Sequence, residues 1–338
     1  MKKLRFPAAL IVIAAILLRP EAAAAGAQRA MRVWYMSVAP SLFPFLVMMP
    51  LLTGAEACAV YDRLFGRMMR PLFHLSGSAA SAMAVGMLSG SPCGAMAVRR
   101  IAAQGNLSAA EARRLALCIC GVSPAYLIYG VGGILFGSVW LGLRLAVAQA
   151  AAQILLMIFT RNLNFAGENI LPEEAREISP VRNAVETILC ICGYMTFFSA
   201  LAEVLTGLMS RVAGSIFLMF ADLPSGLNAL AESALPGKMM IAGAVVGFGG
   251  LCIGMQNLDV LKVMGIRKES YFLIRILAAA ICASFCAQRK PVQAGLESLQ
   301  MPKPAVLSIL IVLILGIPAL IYLSNKSYLN NQNKGLKA

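Results

Sequence analysis

Histidine is all but absent. The 338-residue chain holds one, His74, which leaves little room for a histidine-based metal site or a Ser-His-Asp relay. Charge is scarce too: 13% of residues are Asp, Glu, Lys or Arg, against 59% apolar. Soluble domains average about 25% charged and about 45–50% apolar, so the polar surface of a soluble fold is missing. The chain also lacks a P-loop, which argues against ATP hydrolysis, and any Cys-x-x-Cys pair. No paired aspartates or H-E-x-x-H in a plausible membrane setting suggest intramembrane chemistry. The expectation is a protein that is not an enzyme and that carries no cofactor and no metal.

What is present is apolar sequence in long runs, with a mean hydropathy of +0.78. The fold class this predicts is an all-α polytopic membrane protein with about 8–10 hydrophobic segments. Nine cysteines lie inside those segments. They read as small core hydrophobes, with a paired-thiol metal site as the alternative. The pentapeptide Leu-Cys-Ile-Cys-Gly occurs at 117–121 and again at 189–193.

The formal charge of +14 would suggest nucleic acid in a soluble protein. Here the basic residues are short punctuation: Arg63, Arg67 and Arg70; Arg99 and Arg100; Arg113 and Arg114; Arg267 and Lys268; Arg289 and Lys290. That distribution fits loops held at one membrane face. The partners expected are the bilayer, a small-molecule substrate and a second copy of the chain, with no nucleic acid.

Two readings stand for the N-terminus. Lys2, Lys3 and Arg5, the apolar run from Phe6 to Leu18 and the small residues Ala22–Ala25 imitate a cleavable signal peptide. The same residues serve as an uncleaved first span. Next, Val33 to Leu52 is long enough to cross but holds Pro40, Pro44 and Pro50, which predict a bent or interrupted helix. Tyr61 to Leu75 places Arg63, Arg67 and Arg70 on one face, as an amphipathic interfacial helix does. Ser108 and Glu111 have capping-box spacing, and the helix they start should break at Gly121-Val122-Ser123-Pro124. Further spans are expected at 138–159, 184–209, 239–256, 270–286 and 304–323, and an interrupted one at 212–235 around Asp222, Pro224 and Gly226. The organisation predicted is an N-terminal segment (1–30), a first half (31–160), a polar connector (161–183) carrying Glu168, Glu173, Glu174 and Glu177, a second half (184–290), and a terminal helix with a polar tail (291–338).

The halves echo each other weakly. Leu52-Thr53-Gly54 matches Leu205-Thr206-Gly207, and Gly86-Met87-Leu88-Ser89-Gly90 matches Gly247-Phe248-Gly249-Gly250-Leu251. Interrupted apolar segments in corresponding places of two halves point to a transporter binding site. A broken helix leaves backbone groups that lipid cannot satisfy, so such segments belong inside the protein or against a watery cavity. Exposed half-helix N-termini then favour an anionic ligand. The competing reading is close packing, for which glycine and serine serve equally well.

The run Ser89-Gly90-Ser91-Pro92-Cys93-Gly94-Ala95, with the upstream Pro40-Ser41-Leu42-Phe43-Pro44-Phe45, resembles the sporulation integral membrane protein (YlbJ-like) family of the nucleoside-recognition Gate group. Phe248 to Gln256 resembles that family's second signature, and Arg275 lies in the helix that follows it. The family has tyrosine where this chain has Ser91, serine where it has Cys252, and asparagines where it has Cys120 and Gly121. The resemblance implies a multi-pass protein acting in endospore formation, with a role in moving dipicolinic acid across the outer forespore membrane. Relatives in the wider group move nucleosides.

Candidate ligand contacts are Ser89, Gly90, Ser91, Gly94, Ser123, Gly249, Gly250 and Gln256, whose hydroxyl, amide and backbone groups bind polar ligands without a fixed charge. Ionisable groups inside a membrane are candidate functional sites by default. Here these are Arg144, Glu203, Glu232 and Arg275 as coupling or structural charges, with Glu186 placed near an interface. The leading expectation is a transporter or facilitator of a small polar or anionic metabolite. The alternative is a membrane scaffold for spore-envelope assembly that carries nothing.

Overall fold

The computed structural model describes residues 5–165 and 179–287. The acidic connector residues Glu168, Glu173, Glu174 and Glu177, the pair Arg289-Lys290 and the expected terminal span lie outside the described residues. Every regular element among the described residues is helical. Five helices are long and apolar enough to cross a membrane: 20–52, 139–159, 180–206, 238–262 and 268–286. Shorter apolar helices lie at 9–18, 79–89, 126–135 and 211–221, so the chain is an all-helical membrane protein.

The first helix, α1 (Arg5–Leu18), is 14 residues long, about 21 Å at 1.5 Å per residue. That is short of the roughly 30 Å of a bilayer core. Arg19 closes it, and Pro20 at the start of α2 (Pro20–Val33) supplies a residue that needs no amide partner. The helix then runs on through a π-turn (Trp34–Val38) into α3 (Ala39–Leu52). Of the two expectations, bent or interrupted, the structure corrects the second: the helix is continuous from 20 to 52 through a local π-turn. The wider π-turn directly precedes Pro40, and the Ala39 amide reaches back to the Trp34 carbonyl, which lets the missing proline donor fall where the ladder is already irregular.

The amphipathic helix α4 (Ala55–Phe73) carries Arg63, Arg67 and Arg70 as expected. Then come two short helices, α5 (Ala79–Ser89) and α6 (Cys93–Ala103), packed directly on each other. A Cβ on Gly94 would sit 2.8 Å from the Gly86 Cα, so they form a tight antiparallel hairpin. Its base is anchored by the Gly77 amide on Asp62 (2.8 Å) and the Ser76 amide on Glu111 (2.7 Å). Glu111 also completes the predicted capping box with Ser108 at the start of α7 (Ala109–Ile119). After a break at 120–123 the chain continues as a π-helix (Tyr126–Leu135), then α8 (Val139–Phe159).

The second half repeats this order without an interfacial helix. The long α9 (Pro180–Thr206) is followed by α10 (Arg211–Ala221) and α11 (Leu223–Glu232), a second hairpin in which a Gly226 Cβ would meet the Met219 Cα at 2.5 Å. Next come α12 (Lys238–Phe248) and α13 (Gly250–Lys262), end to end around a glycine pair, and α14 (Lys268–Cys286).

Packing fixes the chain directions. Helix α2 runs antiparallel to α9, with the Trp34 indole donating to the Ile188 carbonyl (2.9 Å) and Ser199 donating to Gly26 (2.9 Å). Helix α8 runs antiparallel to α7 and to α14, and α12 antiparallel to α14. Traced through these contacts, the first hairpin enters from the end of the bundle that holds α4, and the second enters from the opposite end. The halves are thus inverted relative to each other. The second sequence echo is corrected accordingly: Gly86–Gly90 belongs to a hairpin, whereas Gly247–Leu251 spans a break in a through-going helix. The hairpin tips that correspond are at Pro92 and Pro224, and α4, without a counterpart, accounts for the shifted register. Leu52-Thr53 and Leu205-Thr206 do hold equivalent places, each at the end of a long helix.

Candidate functional site

Four chain interruptions meet in the interior. The first hairpin tip, Gly90-Ser91-Pro92, rests on the break in the first through-helix: a Cβ on Gly90 would lie 2.5 Å from the Ser123 amide nitrogen. Gly90 also has φ of +79° and ψ of −159°, a glycine-only region that costs other residues about 1–3 kcal/mol. The second tip mirrors this arrangement. A Cβ on Gly250, where α13 begins, would lie 3.1 Å from the Leu223 amide nitrogen. Each hairpin therefore plugs the broken helix of its own half.

The last turn of α7 and the unwound backbone after it, 117–122, are paired by side chains and one amide from other elements. Arg275, 3% exposed, donates to the carbonyls of Cys120 and of Leu117 (3.1 Å). Gln153 donates to Ile119 (3.1 Å). Gln149 grips Val122 at both ends, accepting from its amide (2.8 Å) and donating to its carbonyl (2.7 Å). The Ser91 amide donates to Gly121 (2.7 Å). Buried polar groups left unpaired cost about 1–3 kcal/mol each, and this set avoids that cost at five consecutive or near-consecutive peptide units. Neither glutamine stood out in the sequence. Their signal was a spacing of four in a helix otherwise apolar but for Arg144, which puts two amides on one face.

Between the breaks lies a cavity of about 90 Å³. Its polar lining comes from Ser37 and Ser41 of the long first helix, Ser89 and Ser91, Ser123, Tyr126, Asp222 and Gln256; its apolar lining includes Leu42, Ile191, Met195, Leu223 and Ile253. Of the sequence candidates, Ser89, Ser91, Ser123 and Gln256 share this wall. Gly90, Gly249 and Gly250 shape the backbone around it. Gly94 lies inside the hairpin against Gly86 and Ile119 and allows the two limbs to approach.

The wall is wired across the halves. Asn257, fully buried, donates to Ser91 Oγ (3.1 Å) and to the Tyr271 hydroxyl (3.0 Å). Ser91, accepting there, keeps its own proton to donate. Asn257 Oδ1 is buried and has no partner among the described residues. Ser89 donates to Val85 (2.6 Å), and Gln256 to Cys252 Sγ (3.4 Å), so both are spent on their own helices but keep acceptor oxygens.

The ionisable candidates divide. Arg275 has the role at the first break described above. Arg144 donates to Cys286 (3.1 Å) and Phe285 (3.3 Å), at the end of α14. Glu203 pairs with Arg29 on α2, half-exposed. Glu232 is exposed and accepts from Asn228 (2.9 Å), away from the cavity. Glu186 pairs with Arg182 (3.1 Å) on the exposed face of α9. The acid that does line the cavity is Asp222, 5% exposed. Its sequence signal was an N-cap: Asp222 precedes Leu-Pro-Ser, and its Oδ2 accepts from the Ser225 amide (3.2 Å) and hydroxyl (2.5 Å). Among the described residues no group of three or more His, Cys, Asp or Glu could hold a metal ion. Seven of the nine cysteines are buried and all are free.

Comparison with known proteins agrees with this architecture. Residues 35–139, the long first helix through to the start of α8, match the family model described as Gate, nucleoside recognition. The chain is 24% identical over 324 residues to the sporulation integral membrane protein YlbJ of Bacillus subtilis (strain 168), covering 82% of this chain and 79% of that protein. No solved structure matches. The chain is a helical membrane protein that matches the Gate model over residues 35–139 and resembles this sporulation membrane protein along most of its length.

Proposed function

We propose that the protein carries a small polar metabolite across a membrane, without chemistry on the cargo. The observation that carries this reading is the convergence of two inverted hairpins and two broken helices on one cavity at the middle of the bundle, where a few polar groups are set in a mainly apolar wall. Irregular backbone is tolerated at membrane depth only where protein or water covers it, and such sites in transporters lie at the interface of inverted halves. At about 90 Å³ the cavity is smaller than the roughly 300–1,000 Å³ of ligand pockets. It has room for several waters or one compact group, so a whole cargo requires the hairpins to part.

The basic residues Arg63, Arg67, Arg99, Arg100, Arg113, Arg161, Arg267 and Lys268 all fall at the end from which the first hairpin enters. The positive-inside bias puts that end in the cytoplasm. The printed name of the related protein supports a setting in sporulation, which fits dipicolinate or a nucleoside as cargo and the outer forespore membrane as the location.

The test is flux into liposomes holding the purified chain, with dipicolinate and uridine as probes. Uptake above protein-free liposomes is expected, falling about tenfold in the Ser91→Ala, Gln256→Ala double variant as two hydrogen-bonding groups go. Neither flux nor binding across a broad panel of small polar metabolites would overturn the proposal.

A further inference from the structure

The cavity holds one carboxylate and no cation. Asp222 is the only acidic side chain buried among the described residues. Its Oδ2 takes both hydrogen bonds from Ser225, and its Oδ1 has no hydrogen-bond partner among the described residues. The groups facing it from neighbouring elements are neutral: Tyr126 on the π-helix and Cys252 on α13. The cation whose charge reaches it, Arg29 of α2, is engaged by Glu203 of α9. Lys238 of α12 is at the hairpin base and donates to the Ala231 carbonyl (2.8 Å).

A carboxylate so placed is costly as an anion, because burial removes water and no counter-charge replaces it. Protonation removes that cost, and a neutral acid at Oδ1 becomes a donor into the cavity. The location gives this consequence. Asp222 is the tip residue of the second hairpin and abuts the α12–α13 break at Gly250, so its charge state acts on the junction through which that hairpin would part.

We propose that Asp222 binds a proton from the cavity and that this proton travels with the cargo. The proposal rests on the transport reading above and specifies its driving ion. In each cycle Oδ1 accepts one proton from cavity water on one side, forming the neutral acid, and yields it to water on the other, restoring the carboxylate. A permanently anionic cargo would meet a like charge unless that proton is in place.

Two measurements on the full chain in liposomes test this. The first is infrared difference spectroscopy across a pH titration, with no ligand. A carboxylic-acid carbonyl band from a buried acid is expected in the wild type and absent in Asp222→Asn. Asparagine also caps helices, so this variant keeps the α11 start; Asp222→Glu, which retains the acid, should restore a shifted band. The second is uptake of dipicolinate and of uridine with an imposed proton gradient or an imposed sodium gradient. The proton gradient should raise wild-type uptake by about fivefold or more, the low end of site-to-site coupling, and leave Asp222→Asn unmoved. A band that persists in Asp222→Asn overturns the assignment. So does gradient-driven uptake that survives in that variant, or drive by sodium alone. If neither probe moves while the band is lost in Asp222→Asn, the proton site stands and the coupling falls. Failure of transport is thereby separated from failure of the site.

Discussion

At the first through-helix break, the carbonyls from Leu117 to Val122 are met by Arg275, Gln153, Gln149 and the Ser91 amide. At the second, Gly249 and Gly250 make the turn, with φ of +87° and +76°, and a Gly249 Cβ would find no atom within 4 Å. Both breaks have the same place in their half, and each receives the tip of its own hairpin. One is cross-braced by side chains from α8 and α14; the other is held by backbone conformation and has space beside it. The lesson is that a repeated topology need not repeat its mechanics. Charge-assisted bonds hold the first junction, while the second is turned by two glycines beside the buried Asp222.

Removing the brace gives the largest expected effect. Arg275→Ala leaves two buried carbonyls without donors and should cost about 2–5 kcal/mol, read as a lower melting temperature of the detergent-solubilised protein. A loss under about 1 kcal/mol would show that the first break is not held as described. The glycine pair sharpens the contrast. Gly90→Ala combines strain in a glycine-only region with a clash against the Ser123 amide, for about 3 kcal/mol. Gly249→Ala pays strain alone, about 1–2 kcal/mol, and equal losses would erase the distinction between the breaks. Gln149→Ala should cost about 1–3 kcal/mol through the unpaired Val122 peptide. Smallest of all, Glu232→Gln should stay within about 0.5 kcal/mol and leave flux unchanged, since the side chain is exposed and meets only Asn228.

Much of this layout was legible in the sequence, because apolar length and helix breakers act locally. The break at Gly121–Pro124, the capping box at Ser108 and the interruption at Asp222 all followed from residue type. Tertiary relations did not. Leu-Cys-Ile-Cys-Gly ends a helix at 117–121 but lies within the continuous α9 at 189–193; only the Val-Ser-Pro that follows the first copy distinguishes them, since proline cannot continue the ladder. Pairing glycine runs likewise matched a hairpin with a through-helix, because two close-packed limbs and an end-to-end break use the same small residues. Arg275 stood out as an embedded charge, yet its partners are carbonyls some 155 positions away in sequence, which no local pattern encodes. Asp222 was seen as an interruption and not as a lining group, since its exposure depends on how the second hairpin docks.

The unmatched α4 also has a bearing on energetics. Two inverted halves that were otherwise alike could trade conformations and return the same structure upside down, so access from either surface would be isoenergetic. A 19-residue basic helix bound to one half alone removes that degeneracy. On the transport reading, that asymmetry would favour opening toward one surface over the other.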